Sequence, residues 1–179
     1  MGVRFPPGVQ TLKIIALTDG IMVEHERWME QAFFEAEKAY QKKEVPVGAI
    51  VVYENRVIGR GHNLIETLQD PTAHAEIIAI TAAANYLASW RLDNTSLYVT
   101  LEPCSMCAGA ILNSRIQEVI FGATDSRLGA CGSVTNLLTN ERLNSSVTVI
   151  PGILQAKCES ILKNFFVTLR KKQLDKLVN

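Results

Sequence analysis

The residues of this chain best suited to chemistry are His74, Glu76, Cys104 and Cys107. In "PCSMC" the two cysteines stand three residues apart, so on a helical first turn both sulfurs face one side and can grip one ion. A CxxC alone is compatible with a redox pair, half of a structural zinc site, or two core thiols. His74 adds a third metal-competent group at the start of the preceding apolar run, "DPTAHAEIIAITAAANYLA". Zinc held by three protein ligands keeps its fourth tetrahedral position for water, the hydrolytic arrangement, whereas structural sites are closed by four. Cys131 is a fourth candidate, but no flanking partner recommends it. Glu76, two residues beyond His74, stands beside such an ion without having to bind it, as a base that takes and returns a water proton must.

These residues need elements to position them. From Glu24 to Lys43 the apolar positions Trp28, Ala32, Phe33, Ala36, Ala39 and Tyr40 recur at three- and four-residue steps, the period of an amphipathic helix. The β-branched runs 47–53 and 56–63, separated by Glu54 and Asn55, predict a hairpin. A helix follows from Thr72, as N-cap, to about Ala88. Residues 95–101 read as a buried strand, "CSMCAGAIL" as a short helix after Pro103, 116–123 and 146–152 as two more strands, and 153–172 as a closing helix. Strands alternating with helices give an α/β domain with a mixed sheet and helices on both faces. Ligands in such sheets sit beyond the carboxyl ends of strands, where loops enter helices, and His74 and Cys104 fall at such junctions.

Composition limits the partners. The chain is 47% apolar and 20% charged, as expected of one globular domain, and no apolar run reaches the roughly 18 residues of a membrane span. Lys and Arg balance Asp and Glu at 18 each, so any nucleic acid must be met by local charge rather than a global field. Four cysteines without a secretory signal point to the reducing cytoplasm. Residues 1–23 read as a disordered extension, 24–172 as the folded domain and 173–179 as a tail.

"HAE" followed by "PCSMC" resembles the H-x-E and P-C-x-x-C signature of the zinc-dependent nucleobase deaminases. The likeness continues through "KEVPVGAIVV", "DPTAHAEI", "LYVTLEPCSMCAGAIL" and "FGATDSRLGACGS", which resemble the bacterial tRNA-specific adenosine deaminases over 24–172. The resemblance implies a three-layer α/β/α, cytidine-deaminase-like fold around a mixed five-stranded sheet. It implies one Zn2+ per subunit on His74, Cys104 and Cys107, with Glu76 as the proton shuttle. The reaction implied is hydrolytic deamination of adenosine to inosine at the wobble position of a tRNA anticodon loop, by zinc-activated water. Asn63 then matches a residue that hydrogen-bonds the target base, and Val45 and Leu101 match pocket walls. Asp125 matches a carboxylate near a neighbouring ribose, where it can accept from a 2′-OH; Arg127 offers a phosphate contact. Phe166, in "NFFVTLRKKQ", is placed to stack on a base, with Arg170, Lys171 and Lys172 near phosphates. Thr124 and Val167 depart from the family, which often has basic or polar residues there. A homodimer is also implied, with no membrane or DNA partner.

Two other functions fit parts of the pattern. A free nucleobase or nucleoside deaminase, of guanine or cytosine type, would use the same zinc site and is distinguished by Asn63, Asp125 and the basic C-terminal helix. A zinc-stabilised RNA-binding scaffold is opposed by the presence of Glu76. His62, His25, Cys131 and Cys158 read as structural, since neighbours on a strand face opposite ways and lone cysteines are usually buried small apolar residues. Phe165 and Phe166 divide between core packing and base contact.

Overall fold

The β-branched runs sort their side chains to two sides of one sheet. In the computed structural model, which describes residues 7–143 and 147–178, Ala49, Val51, Leu97, Val99, Val119 and Phe121 face one apolar cluster. Their neighbours Ile50, Val52, Tyr98 and Ile120 face another. The elements run α1 (Pro7–Gln41), β1 (Gly48–Tyr53), β2 (Arg56–His62), α2 (Ile65–Leu68), α3 (Ala75–Leu87), β3 (Ser96–Leu101), α4 (Ser105–Ser114), β4 (Glu118–Ala123), a 3-10 turn (Glu141–Leu143), β5 (Thr148–Pro151) and α5 (Gln155–Val178). Helices α3 and α4 cover the first face, through Ala75, Ala79, Ala83, Ala108 and Ile111. Helices α1 and α5 cover the second, through Trp28, Met29, Ala32, Phe33 and Cys158. This is the expected α/β/α sandwich.

The sheet order is β2-β1-β3-β4-β5. Strand β1 is antiparallel to both β2 and β3, while β3, β4 and β5 are parallel. The expected hairpin is present: Tyr53 pairs with Arg56, and Glu54 and Asn55 both take positive φ, 46° and 59°, as a two-residue turn matched to strand twist requires. It follows that β2, β3 and β4 all end at the same sheet edge, the edge where β1 begins. The residues just beyond those ends are therefore brought together whatever their separation in sequence.

Several boundaries differ from expectation. Helix α1 begins at Pro7, so the chain ahead of Glu24 is helical from there; Pro suits a first helical turn, where its missing N–H has no partner to lose. Residues 1–6 of the expected extension lie outside the described residues. The C-terminal tail continues α5 to Val178. Helix α3 is capped by His74, not Thr72. Asp70 takes both the backbone N–H and the hydroxyl of Thr72, at 2.8 and 2.7 Å, holding that residue in the preceding turn. The one-turn α2 and the 3-10 turn carry no periodic signal and are additions.

Helix α3 lies almost against the backbone of β2. A Cβ at Gly59 would come within 2.2 Å of the Ala79 carbonyl oxygen, and one at Gly61 within 2.2 Å of the Ala75 carbonyl oxygen. Glycines on the strand and alanines at four-residue steps on the helix make this approach possible. Gly61 thereby sets the height of the first turn of α3, between His74 and Glu76. Gly61→Ala is expected to destabilise the fold by about 1–3 kcal/mol through overpacking. Urea unfolding and metal content measured on the same preparation check this, the expected result being a lower midpoint together with weaker metal retention.

Candidate active site

At the shared strand edge, two helices begin in the same way. His74 caps α3 with φ −73° and ψ 152°, and Cys104 caps α4 with φ −74° and ψ 175°. The His74 side chain makes no bond to its own helix and Cys104 meets only Cys107 in its own, so both are available to something in front of them. Cys107 follows one turn into α4 and is fully buried. His74 Nδ1 lies 3.8 Å from Cys104 Sγ and 3.5 Å from Cys107 Sγ. All three ligand atoms fall within 4.8 Å of one another, a set that can hold a metal ion. Zinc–sulfur bonds of about 2.3 Å and zinc–nitrogen bonds of about 2.0 Å, at tetrahedral angles, separate such ligand atoms by about 3.5–3.8 Å. The donor set and its spacing therefore fit a zinc ion with three protein ligands. Two helix N-termini aimed at the same point favour thiolates there. Hydrogen bonding from Cys107, and then from His74, pulls the Cys104 thiol down to about 3.

Glu76, in the first turn of α3, is 3% exposed and is not one of the three grouped ligands. Burial pushes its carboxyl above the ordinary range, with the neighbouring Cys104 adding to the effect. A carboxylate so placed can exchange a proton at the site instead of remaining a fixed anion.

A cavity of about 420 Å³ opens in front of these groups. Its walls come from each chain segment that reaches the shared edge. Val45 and Val47 precede β1, Asn63 follows β2, Leu101 and Glu102 end β3, and Asp125, Arg127 and Leu128 follow β4. Leu162 and Phe166 reach in from α5. Val45, Asn63, Leu101, Asp125, Arg127 and Phe166 thus line one space with His74, Glu76 and Cys104, while Arg170 and Lys171 lie outside it. Asn63 is 5% exposed; its N–H donates to Val47 O at 3.0 Å and its Nδ2 to Glu44 Oε2 at 3.5 Å. A carboxylate can only accept, so this contact also fixes which way the Asn63 amide points. Asp125 Oδ1 accepts from the N–H groups of Arg127 and Leu128, at 2.9 and 3.2 Å, shaping the turn it belongs to. Phe166 is 39% exposed at the rim, while Phe165 packs edge-on against Tyr40 and Phe166.

The residues read as structural also have definite places. His62 Nδ1 lies 3.3 Å from Glu35 Oε2, and its Nε2 lies 3.0 Å from Lys42 Nζ. His25 bonds the Tyr98 hydroxyl at 3.0 Å. Cys131 and Cys158 are buried, and neither belongs to the metal-competent set. Sequence reading missed Val47, Ile65, Leu128, Leu162 and two carboxylates, Glu44 and Glu102. Glu44 is 1% exposed and accepts from the N–H and hydroxyl of Thr67, both at 2.7 Å, and from the N–H of Glu66 at 3.2 Å. The neighbouring valines and "LEPC" gave the only signal, since acidic residues beside apolar strands need partners once buried.

Residues 23–170 match the profile of the MafB19-like deaminase family. A tRNA-specific adenosine deaminase of Bacillus subtilis (strain 168) is 47% identical over 152 residues, 85% of this chain and 94% of its own. One from Streptococcus pyogenes serotype M18 (strain MGAS8232) is 44% identical over 146 residues, 82% of this chain and 92% of its own. A structure solved in work on A-to-I editing by tRNA:A34 deaminases superposes with a TM-score of 0.73. It is 40% identical and covers 76% of this chain and 99% of its own. The structure of guanine deaminase from Bacillus subtilis is 37% identical, with a TM-score of 0.54, over 56% of this chain and 64% of its own.

Cys107→Ala is expected to abolish tight binding of a divalent ion and to lower the melting temperature to that of the chelator-treated protein. Cys131→Ala should leave the ion in place. Metal analysis of the two variants after gel filtration, with thermal unfolding alongside, checks both outcomes.

Proposed function

The chain belongs to the deaminase family that the MafB19-like profile describes, among the tRNA-specific adenosine deaminases, and on that premise we propose that it converts adenosine to inosine at the wobble position of tRNA anticodon loops. The observation that carries the proposal is the buried Glu76 beside the His74, Cys104 and Cys107 set, at the base of a cavity lined by Asn63 and Asp125. The family span of 23–170 supports taking 24–172 as the deaminase domain.

His74, Cys104 and Cys107 would hold Zn2+, one per subunit. When bound, zinc supplies a hydrolytic nucleophile at neutral pH by lowering the pKa of water toward about 7. Glu76 takes the proton given up by water, delivers one to the ring nitrogen of the adenine and assists departure of the amine. Water and adenosine thereby give inosine and ammonia. Val45, Val47 and Leu101 hold the base between apolar walls, and Asn63 reads its edge through the oriented amide. Asp125 accepts from the 2′-OH of a flanking nucleotide, which favours RNA over DNA. Arg127 meets a phosphate and Phe166 stacks on a loop base. Arg170, with Lys163, is exposed at a three- or four-residue step from Phe166 on α5, and Lys171 is exposed further round the helix; they supply the local charge that the neutral chain otherwise lacks, and the Lys172 side chain lies outside the described residues. An unpaired loop adenosine also avoids the larger cost of extracting a base from a duplex.

Leu128 at the cavity is an exposed apolar side chain, as are Leu68 and Val134, and such surface suits the homodimer we also propose. Four free thiols suit a cytoplasmic protein, and no helix among the described residues is long and apolar enough to cross a membrane. The likeness to a guanine deaminase over 56% of this chain supports a second reading, a free-base deaminase.

An anticodon stem-loop with a wobble adenosine, free guanine and cytidine, offered separately to zinc-loaded protein, decide between the two. Inosine formed in the stem-loop alone is the expected result; conversion of guanine alone would replace the first reading by the second. Glu76→Gln should retain zinc and lose about 10²–10⁴-fold in turnover, as expected for removal of a general acid–base. Near wild-type turnover in that variant would remove Glu76 from its assigned role.

A further inference from the structure

Between β4 and β5 the described residues hold only a 3-10 turn and isolated bridges, and Asp125, Arg127 and Leu128 of this segment form one wall of the cavity. Such a segment needs an anchor, because it has no ladder to hold it. One anchor is backbone, where the Ala130 N–H donates to Pro103 O at 2.9 Å and Cys104 bridges Gly129; the other is a single side chain. Glu102, the residue between the end of β3 and Pro103-Cys104, is 2% exposed. Its Oε2 accepts from the Asp125 N–H at 3.0 Å and from the Ser133 hydroxyl. Its Oε1 accepts from the N–H groups of Cys131 and Ser133, each at 3.0 Å. Gly129 completes the packing, since a Cβ there would fall 2.5 Å from the Glu102 carboxylate and 2.5 Å from the Asp125 carbonyl oxygen.

We propose that Glu102 is a positioning residue that ties the substrate-facing loop carrying Asp125, Arg127 and Leu128 to the strand end that presents the metal ligand Cys104. The carboxylate grips both ends of the loop's inner turn, at Asp125 and at Cys131–Ser133, from a point two residues before Cys104. The carboxylate thus ties the cavity wall to the ion-binding end of the molecule at both ends of this turn, beside the backbone bond from Ala130 to Pro103. No other side chain in the described residues is hydrogen-bonded to all three of Asp125, Cys131 and Ser133 in this way. Burial alone would push the Glu102 carboxyl up, yet its four hydrogen bonds outweigh this and hold it below the ordinary range.

A glutamine at this position keeps the shape but turns an N–H donor toward one pair of donors. The best arrangement keeps Oε1 on Cys131 and Ser133 N–H and lets the amide donate to the Ser133 hydroxyl, which leaves the Asp125 N–H without an acceptor. Glu102→Gln is therefore a selective release of the Asp125 end. Gly129→Ala tests the same contact from the other side, with the carboxylate intact.

The inference rests on the proposed deaminase reading only for its kinetic part, so the experiment has two arms. In the first, amide hydrogen exchange on the zinc-loaded protein is compared between wild type, Glu102→Gln and Gly129→Ala. Faster exchange at Asp125 in both variants, with the amides of α3 and β1 unchanged and one zinc per chain retained, is expected. Exchange at Asp125 unchanged in both variants, or zinc lost along with loop protection, overturns the proposal. In the second arm, with the stem-loop substrate, KM should rise about tenfold or more while kcat changes far less, the mark of lost uniform binding. The effects of Glu102→Gln and Asp125→Ala on KM should be less than multiplicative when combined, because both act through one loop. Independent, multiplicative effects would make Glu102 merely structural. If wild type does not act on the stem-loop, the functional reading fails, and the exchange arm still decides the role of Glu102.

Discussion

The arrangement depends on how closely helix α3 approaches strand β2. With ordinary side chains at Gly59 and Gly61 the helix backbone would have to withdraw, since each added Cβ would meet a carbonyl oxygen at 2.2 Å. The alanines facing those glycines, Ala75, Ala79 and Ala83, are fully buried and small enough for the helix to settle there. Because Ala75 lies between His74 and Glu76, the strand backbone sets the depth of both. Close packing transmits such constraints because protein interiors have little slack to absorb them.

From that contact the site follows through topology. Strand β1, antiparallel to both neighbours, makes β2 and β3 point the same way, so the helices that follow them start at one edge. Each start is capped by a residue whose side chain faces out from the helix end, His74 in one case and Cys104, bonded only to Cys107 of its own helix, in the other. One ion at that point would satisfy both, together with Cys107 a turn further on. The parallel pairing of β3 with β4 brings the Asp125 loop to the same edge, and α5 closes the cavity from the opposite face with Leu162 and Phe166.

Three buried carboxylates stand around this edge, and their surroundings separate their roles. Glu44 and Glu102 are saturated by backbone and hydroxyl donors and hold loops, one beside Asn63 and one beside Asp125. Glu76 has burial as its dominant influence and keeps its proton more readily than a surface acid would. The same side chain thus serves as a fixed tie in two places and as a proton carrier in the third, according to the donors around it.

The strands were legible because alternation survives in a single sequence: Ile50 and Val51 must face opposite ways wherever the strand goes. The metal-competent residues were legible for a related reason, since Cys104 and Cys107 are one helical turn apart and "HAE" is local. The cap of α3 was misplaced at Thr72 because Asp70 offers that residue a competing turn, an exchange between neighbours that composition does not rank. The helix start at Pro7 and the continuation of α5 to Val178 lay beyond any clear periodic signal. By itself, then, the sequence determined which residue types were present to bind an ion and move a proton, and the periods of the elements carrying them. Tertiary structure alone decided that Glu44 and Glu102 are ties rather than solvated surface acids, and that Leu128 and Leu162 share a cavity. The physical reason is distance along the chain: Glu102 meets donors 23 to 31 residues away, a relation set by strand order and register and by no local preference.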